Sequence, residues 1–318
     1  MATKGILLLN LGTPEEPTAK GLRKFYKYFF SDPYVFDFNA VGRWLLRNLI
    51  IIPFRAPKTA KDYATIWMDE GSPLKVYADR LLQSVQQAYD EAGEDVLVLN
   101  GMGYSEPFIW DTMAEFERRG VRDILVMPLF PQYSTATTES VFHDLYAEPA
   151  FISAWAALIG KHVNDAQAEH IIFSYHGLPE SNIKRADKNG VCEMGACCET
   201  ITDKNKLCYR AQCVATTRSI AAAMGWGEDR YSIAFQSRFG NQAWIQPYLD
   251  EHLEILIEKG VKKVAVVTPS FVSDCLETIH EIGIEYKEEF MEGGGEGFQL
   301  VPNLNDEKTW FDSVFQIS

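Results

Sequence analysis

A histidine and a row of carboxylates are the side chains of this sequence best suited to proton transfer and metal binding. His176 ends the apolar run Ile171-Ile172-Phe173 and is followed by Gly-Leu-Pro. A predicted helix further along the chain carries Glu277, His280, Glu281 and Glu285. Spacings of three and four place these side chains on one helix face. Such a face opposite a histidine predicts a divalent-metal or proton-transfer site. A hydrogen-bonded core histidine and a solvated acidic face are the alternative interpretations.

The cysteines form a second candidate site. Five of the six lie close together, at Cys192, Cys197, Cys198, Cys208 and Cys213. The start, MATKGILLLNLGT, lacks the apolar core of a signal peptide, so we expect a reducing compartment in which disulfides are rare. Clustered thiols then predict a metal site. Four thiolates fit an iron–sulfur cluster as well as a structural zinc ion, and free thiols are the third alternative.

A fold of alternating strands and helices must position these residues. Apolar runs predict strands at 5–9, 96–99, 124–127, 171–173, 232–235 and 264–267. Amphipathic segments between them, such as 77–92 and 245–259, predict helices. Apolar strands that alternate with helices predict an α/β fold with parallel sheets covered on both faces.

The sequence repeats itself in two halves. ERRGVRDILVMPLF (117–130) matches IEKGVKKVAVVTPSF (257–271), and two strand-to-loop segments upstream of each match in the same order. We therefore predict two similar domains, residues 1–148 and 149–318, with a cysteine-rich insertion at 189–213. Ligands bind at the carboxyl ends of strands in open α/β sheets. We expect an active-site cleft between the domains, with His176 in its wall.

Composition and charge bear on the partners. The formal net charge of -14 disfavours a nucleic-acid partner. The apolar run at 49–54 is too short to span a bilayer. Residues 25–38 are dense in aromatic side chains, which fits a packed core, a lip for a flat apolar ligand, or peripheral membrane contact through residues 25–54. We expect a cytoplasmic protein, at most peripheral to the inner face of the membrane.

Several motifs, in order, resemble those of the ferrochelatases, which insert ferrous iron into a porphyrin to complete haem. They are LLLNLGTP (7–14), RAPKTAKDYATIWMDEGSPL (55–74), MPLFPQYS (127–134), SYHGLP (174–179), FQSRFGNQAW (235–244) and SDCLET (273–278). The resemblance covers nearly the whole chain. It implies two Rossmann-like domains, with Fe²⁺ as a substrate.

The resemblance also implies roles for individual residues. The family's active-site histidine falls on His176 and its essential glutamate on Glu277, and we predict that both contact the incoming Fe²⁺. Behind them, Glu281, Glu285 and His280 are predicted to relay protons or metal. For the porphyrin we predict contacts with Tyr104, Ser134, Ser237, Trp244 and Asp274.

Two departures from the family pattern stand out. A strand common in the family is missing before the helix expected at 148–149. The insertion at 189–213 stands where many members have a short turn. Some bacterial members carry a [2Fe–2S] cluster, so we predict one here, held by four of the five cysteines. Adjacent cysteines rarely ligate together, which leaves Cys197 or Cys198 spare, and Cys213 also occurs in members without a cluster.

The predicted function is insertion of Fe²⁺ into protoporphyrin IX to form protohaem, the last step of haem biosynthesis. One alternative is a related chelatase acting on coproporphyrin III or another tetrapyrrole. The other is a non-catalytic haem- or metal-binding protein of the same fold. The aromatic lip favours protoporphyrin, the less polar dicarboxylate, and the presence of both His176 and Glu277 favours an enzyme.

Overall fold

The computed structural model describes residues 4–33, 35, 39–132, 145–166 and 168–318. The chain divides into two compact units. The first comprises Met1–Leu129 together with Val314–Ser318, and the second comprises Phe130–Ser313. Each unit is built on its own parallel sheet.

The first unit contains a three-stranded sheet in the order β2-β1-β3. Its strands are β1 (Lys4–Asn10), β2 (Val96–Met102) and β3 (Asp123–Pro128). Its helices are α1 (Ala19–Phe29), α2 (Ala40–Leu45), a first π-helix (Leu46–Arg55), α3 (Ala56–Ile66), α4 (Pro73–Ala92) and α5 (Ile109–Arg118). All residues of the central strand β1 after Lys4 are buried, as expected for a strand covered on both faces.

The second unit contains a four-stranded sheet in the order β5-β4-β6-β7. Its strands are β4 (His170–His176), β5 (Tyr231–Gln236), β6 (Lys263–Val267) and β7 (Gly297–Leu300). Its helices are a 3₁₀ turn (Leu145–Ala147), α6 (Pro149–Ala166), α7 (Glu180–Ala186), a second 3₁₀ turn (Ala196–Cys198), α8 (Tyr209–Ala223), α9 (Leu249–Glu258), a second π-helix (Leu276–Tyr286) and α10 (Lys287–Glu292). The division between the units falls within α11 (Lys308–Ile317).

The two sheets have the same strand order, as expected for a sequence repeat. The order β2-β1-β3 corresponds to β5-β4-β6, while β7 has no counterpart among the described strands of the first unit. All six predicted strands are present, and the predicted α/β class with parallel sheets is confirmed. The helix predicted over 245–259 is shorter. It begins at Leu249, after Pro247, and a residue that precedes proline is disfavoured in the helical conformation.

The helix that carries the carboxylate row differs from the prediction. It is a π-helix that begins at Leu276, and its N-cap is Cys275. A reciprocal pair of hydrogen bonds between Cys275 and Thr278 places the start of the helix here. The Cys275 N–H donates to Thr278 Oγ1 at 3.0 Å, and the Cys275 sulfur accepts the N–H of Thr278.

Candidate active site

His176 is the last residue of β4, which lies between β5 and β6. The chain therefore leaves the sheet here at its carboxyl edge, where ligands bind in α/β folds. Nδ1 of the half-buried ring lies 2.6 Å from the carbonyl oxygen of Gly177. Because a carbonyl oxygen only accepts, Nδ1 carries the hydrogen, and the lone pair of the neutral ring is on Nε2. Nε2 is therefore the basic nitrogen of this imidazole.

Gly177 allows the chain to turn tightly after His176. A Cβ at position 177 would lie 2.7 Å from the carbonyl oxygen of Gln236 and 3.2 Å from Cε3 of Trp244. A larger residue would displace one of these neighbours. Trp244 itself is buried, and its Nε1–H donates to the carbonyl of Phe239 at 3.0 Å. The indole predicted to contact the porphyrin thus packs beside the turn that follows His176.

Gln236 connects the end of β4 to the start of the second π-helix. It is fully buried and pairs with His176 in the parallel register. Its Oε1 accepts the hydroxyl of Ser174 at 2.8 Å, and its Nε2 donates to the backbone carbonyl of Glu277 at 2.8 Å. Its own carbonyl accepts the N–H of Gly177 at 2.8 Å. One residue therefore holds the backbone beside His176 and the backbone of Glu277.

The carboxylate row runs along the second π-helix from its first turn towards the surface. Glu277 and Glu281 are half-buried, whereas the side chain of Glu285 is 53% exposed. Hydrogen bonds from residue i to i+5 make a π-helix wider than an α-helix, which brings side chains four positions apart closer to one line. Nδ1 of His280 lies 3.9 Å from Oε1 of Glu285. The predicted relay residues therefore share one helix with Glu277.

Glu281 has an environment that suits proton exchange. Burial raises its pKa to about 7, opposed by the hydrogen bonds from Ser237 and assisted by the charges of Glu277 and Glu285. The Ser237 hydroxyl donates to Oε2 of Glu281 at 2.6 Å. Ser237 has a φ of 67°, a left-handed conformation that is uncommon for residues other than glycine. The serine predicted to contact the porphyrin thus holds a carboxyl group that gains and loses its proton near neutral pH.

Asp274 lies buried in front of the second π-helix, and both its carboxylate oxygens accept hydrogen bonds. Oδ1 accepts from Thr278 Oγ1 at 3.0 Å and from the backbone N–H of Asn303 at 3.4 Å. Oδ2 accepts from Nδ2 of Asn305 at 2.6 Å. Burial raises the pKa of Asp274, and these hydrogen bonds act in the opposite direction. Asp274 therefore ties the π-helix to a neighbouring loop, and its contact with porphyrin stays a prediction.

Two further residues were predicted to contact the porphyrin, Tyr104 and Ser134. The hydroxyl of Tyr104, in the first unit, donates to Oδ2 of Asp32 at 2.7 Å, and burial raises the pKa of Tyr104. The aromatic segment beside it is partly core, because Tyr26 and Phe30 are buried. Ser134 lies outside the described residues, as do four positions of the aromatic segment at 34 and 36–38.

Exposed apolar side chains of the first unit concentrate on α2 and the first π-helix. We call this set the apolar face; it consists of Val41, Trp44, Leu45, Leu49, Ile50 and Phe54. Trp44 is 54% exposed and Phe54 is 75% exposed. Arg43, Arg47 and Arg55 lie on the same two helices. None of the described helices combines the length and the apolar character needed to cross a membrane.

Four of the five clustered cysteines form a chain of sulfur contacts. Sγ of Cys197 lies 3.8 Å from Sγ of Cys198. Cys208 packs against Cys198, and this neighbour raises the pKa of Cys198 and lowers that of Cys208. Cys192 in turn contacts Cys197, and burial raises the pKa of Cys192. The insertion therefore gathers four sulfurs from two separate stretches of chain.

Cys213 is not part of this chain of contacts. Its thiol is fully buried on α8, where it meets the hydroxyl of Tyr209, and burial raises the pKa of Cys213. In the part of the chain that the structure describes, no group of three or more His, Cys, Asp or Glu side chains is arranged to hold a single metal ion.

Gln236 and Ser174 have structural roles in the site that were not predicted from the sequence. Both are polar residues within otherwise apolar strands, and buried polar side chains must find hydrogen-bond partners. That signal could have marked them as a bonded pair on neighbouring strands. It could not have identified Glu277 as the third member, because the contact depends on where the second π-helix begins.

Comparison with known proteins places the chain in a family. The model of the Ferrochelatase family matches residues 3–148 and 143–318. A ferrochelatase of Coxiella burnetii (strain Dugway 5J108-111) is 40% identical over 330 residues, covering 99% of this chain and 92% of the relative. A ferrochelatase of Legionella pneumophila (strain Corby) is 38% identical over 333 residues, covering 99% of this chain and 98% of the relative. A multi-domain protein of Deinococcus radiodurans with structural similarity to chelatases aligns with a TM-score of 0.48 and 9% identity, covering 100% of this chain and 55% of that chain.

The fold and the site define an α/β protein with a histidine and a row of carboxylates at the carboxyl edge of a parallel sheet. The chain belongs to the ferrochelatase family. It is a lyase that inserts Fe²⁺ into a porphyrin in haem synthesis, which confirms the predicted activity. A chelatase for another tetrapyrrole and a non-catalytic binding protein are correspondingly disfavoured.

Proposed function

We propose that this chain inserts Fe²⁺ into protoporphyrin IX, with His176 and Glu277 as its catalytic residues. The observation that carries this proposal is the hydrogen bond from Nδ1 of His176 to Gly177, which makes Nε2 the base. At the same edge of the sheet, Gln236 holds the first turn of the helix that carries Glu277. A neutral imidazole and a carboxylate together provide a proton acceptor and a ligand for a divalent ion.

Insertion exchanges one Fe²⁺ for two pyrrole protons. A flat macrocycle keeps its nitrogen lone pairs in the ring plane, so the enzyme must use binding energy to bend the ring and expose them to one face. We assign removal of the pyrrole protons to Nε2 of His176. We assign the first contact with the incoming ion to Glu277, assisted by His176.

The carboxylate row provides a route for protons between this centre and solvent. Glu281 follows Glu277 on the helix, and its pKa of about 7 lets it accept and release a proton at neutral pH. Glu285 is exposed and completes the route. His280 lies beside Glu285, with its Nδ1 3.9 Å from Oε1 of Glu285, and belongs to the proposed route.

An anaerobic insertion assay with Fe²⁺ and two porphyrins tests this function. We expect kcat/KM to be about tenfold higher with protoporphyrin IX than with coproporphyrin III, because the extra carboxylates of coproporphyrin are costly to bury beside an aromatic lip. A preference for coproporphyrin III would reject the substrate assignment. No insertion into either porphyrin would reject the function itself.

We further propose that Cys192, Cys197, Cys198 and Cys208 bind a [2Fe–2S] cluster. Their sulfur contacts support this ligand set. A tetrahedral metal with bonds of about 2.3 Å separates its sulfurs by roughly 3.8 Å, and Cys197 and Cys198 are 3.8 Å apart. We therefore include both adjacent cysteines and leave out Cys213. When bound, such a cluster cross-links the insertion, and metal insertion itself transfers no electrons.

We also propose that the apolar face on α2 and the first π-helix contacts the cytoplasmic surface of a membrane. Exposed apolar side chains interspersed with arginines are typical of helices that lie in a membrane interface. Flotation with vesicles containing anionic lipid is the measurement. We expect the parent protein to float and Trp44→Ala to reduce flotation several-fold. Trp110→Ala is the matched control, because Trp110 is equally exposed at 54% but lies on α5. Equal flotation of the two variants would reject the proposal.

A further inference from the structure

We propose that Tyr209, together with Ser270, is a positioning residue for His176, and that the cysteine-rich insertion supports the site through it. The inference rests on the proposed role of His176 as the base. It concerns the backbone of His176, whose two polar groups are held by these two side chains.

Two side-chain hydroxyls hold the backbone of His176. The backbone N–H of His176 donates to Oγ of Ser270 at 3.2 Å. The hydroxyl of Tyr209 donates to the backbone carbonyl of His176 at 2.7 Å. Burial raises the pKa of Tyr209, and the neighbouring Ser270 hydroxyl acts in the opposite direction. Both polar groups of the His176 backbone therefore have a side-chain partner.

The hydrogen bonds from Ser270 and Tyr209 hold the backbone from which the imidazole projects. The side chain can still rotate about its own bonds, and the hydrogen bond from Nδ1 to Gly177 restricts that rotation. The Gly177 carbonyl belongs to the Gly177–Leu178 peptide, one residue beyond the carbonyl of His176. A shift of the His176 carbonyl would therefore move the acceptor that determines which ring nitrogen is the base.

The two hydroxyls that hold His176 come from two elements. Ser270 lies just after β6, the neighbour of β4 in the sheet. Tyr209 is the first residue of α8 and is buried. The N-cap of α8 is Cys208, one of the four contacting thiols. The chain thus passes directly from the cysteine-rich insertion to the hydroxyl that holds His176.

Tyr209→Phe removes only the hydroxyl and provides the test. We expect kcat for iron insertion to fall about tenfold with little change in KM for the porphyrin, since the change misplaces the base without touching substrate binding. The second measurement is nitrogen-15 NMR of the histidine rings, with His176 assigned by its loss in His176→Gln. In the parent protein we expect hydrogen on Nδ1. In Tyr209→Phe we expect a mixture of the two tautomers.

Tyr231→Phe is the matched control, because Tyr231 is a half-buried tyrosine of the same unit at the opposite end of β5. It should keep both the parent rate and the parent tautomer. An unchanged His176 tautomer in Tyr209→Phe would overturn the positioning role, whatever the rate. A changed tautomer with an unchanged rate would support the positioning role and reject His176 as the base.

Discussion

Alanine in place of His176 or Glu277 is expected to remove nearly all iron insertion while the protein stays folded. General base catalysis contributes about 10²- to 10⁴-fold, so we expect kcat to fall by about 10³-fold in His176→Ala. Neither side chain belongs to the buried apolar core. Thermal unfolding should therefore change little, and the measurements are kcat under anaerobic conditions and the Tm of each variant. An unchanged rate in either variant would remove that residue from the mechanism.

The neighbouring carboxylates supply graded controls for this prediction. Glu285 is exposed, and we expect Glu285→Gln to keep its rate within about twofold, as is usual away from the reacting centre. The rate of Glu281→Gln should lie between the rates of Glu285→Gln and Glu277→Gln, because Glu281 follows Glu277 by four residues on the same helix. Parent-like rates in both Glu281→Gln and Glu285→Gln would identify the row as a solvated acidic face.

Glu281 also allows a test that does not depend on activity. Its pKa is raised from 4.5 to about 7 on folding, so the folded protein keeps a proton that the unfolded chain releases between these values. Stability then falls as pH rises through this window, by at most about 3 kcal/mol. Glu281→Gln cannot ionise and should lose this dependence. The Tm of Glu281→Gln minus the Tm of the parent protein should therefore be larger at pH 8 than at pH 4.5. An equal difference at both pH values would contradict the raised pKa of Glu281.

The fold could be predicted from the sequence because its strands are buried on both faces. Runs such as 171–173 and 264–267 are apolar without alternation, which only central parallel strands require. The repeat of three strand-to-loop segments in the sequence corresponds to the shared strand order of the two sheets. Helix boundaries were less predictable. The start of the second π-helix depends on hydrogen bonds of Cys275, a residue with no strong capping preference, and π-helices have no simple sequence period.

The sequence identified the strand end at which His176 lies but not the side chains that hold it. His176 was recognisable because a polar ring at the end of an apolar run is unusual. The roles of Ser237 and Gln236 could not be predicted, because both depend on contacts with a helix about forty residues away. In Ser237 the left-handed backbone conformation directs the hydroxyl to Glu281, and that conformation leaves no signal in the amino-acid type.

Replacement of Cys208 by serine is expected to abolish the visible absorption of the protein. Anaerobically purified parent protein should be red-brown, with about two irons and two sulfides per chain, as a cluster of this type requires. Cys208 contacts Cys198 and is the N-cap residue of α8. Its loss should therefore remove the cluster and also destabilise the insertion, because metal binding is coupled to the folding of the segment that holds it.

Cys213→Ser is the matched control for this result, since it makes the same chemical change five residues further along the chain, within α8. Its buried sulfur contacts Tyr209 and lies outside the chain of four thiols, so we expect the colour and the iron content to stay at parent levels. Bleaching in Cys213→Ser, with colour retained in Cys197→Ser or Cys198→Ser, would replace our ligand set by one in which adjacent cysteines do not both bind. A colourless parent protein containing about one zinc ion per chain would overturn the cluster. The contacts of Cys208 and Tyr209 would still connect that zinc site to His176, because they belong to the protein chain and not to the metal.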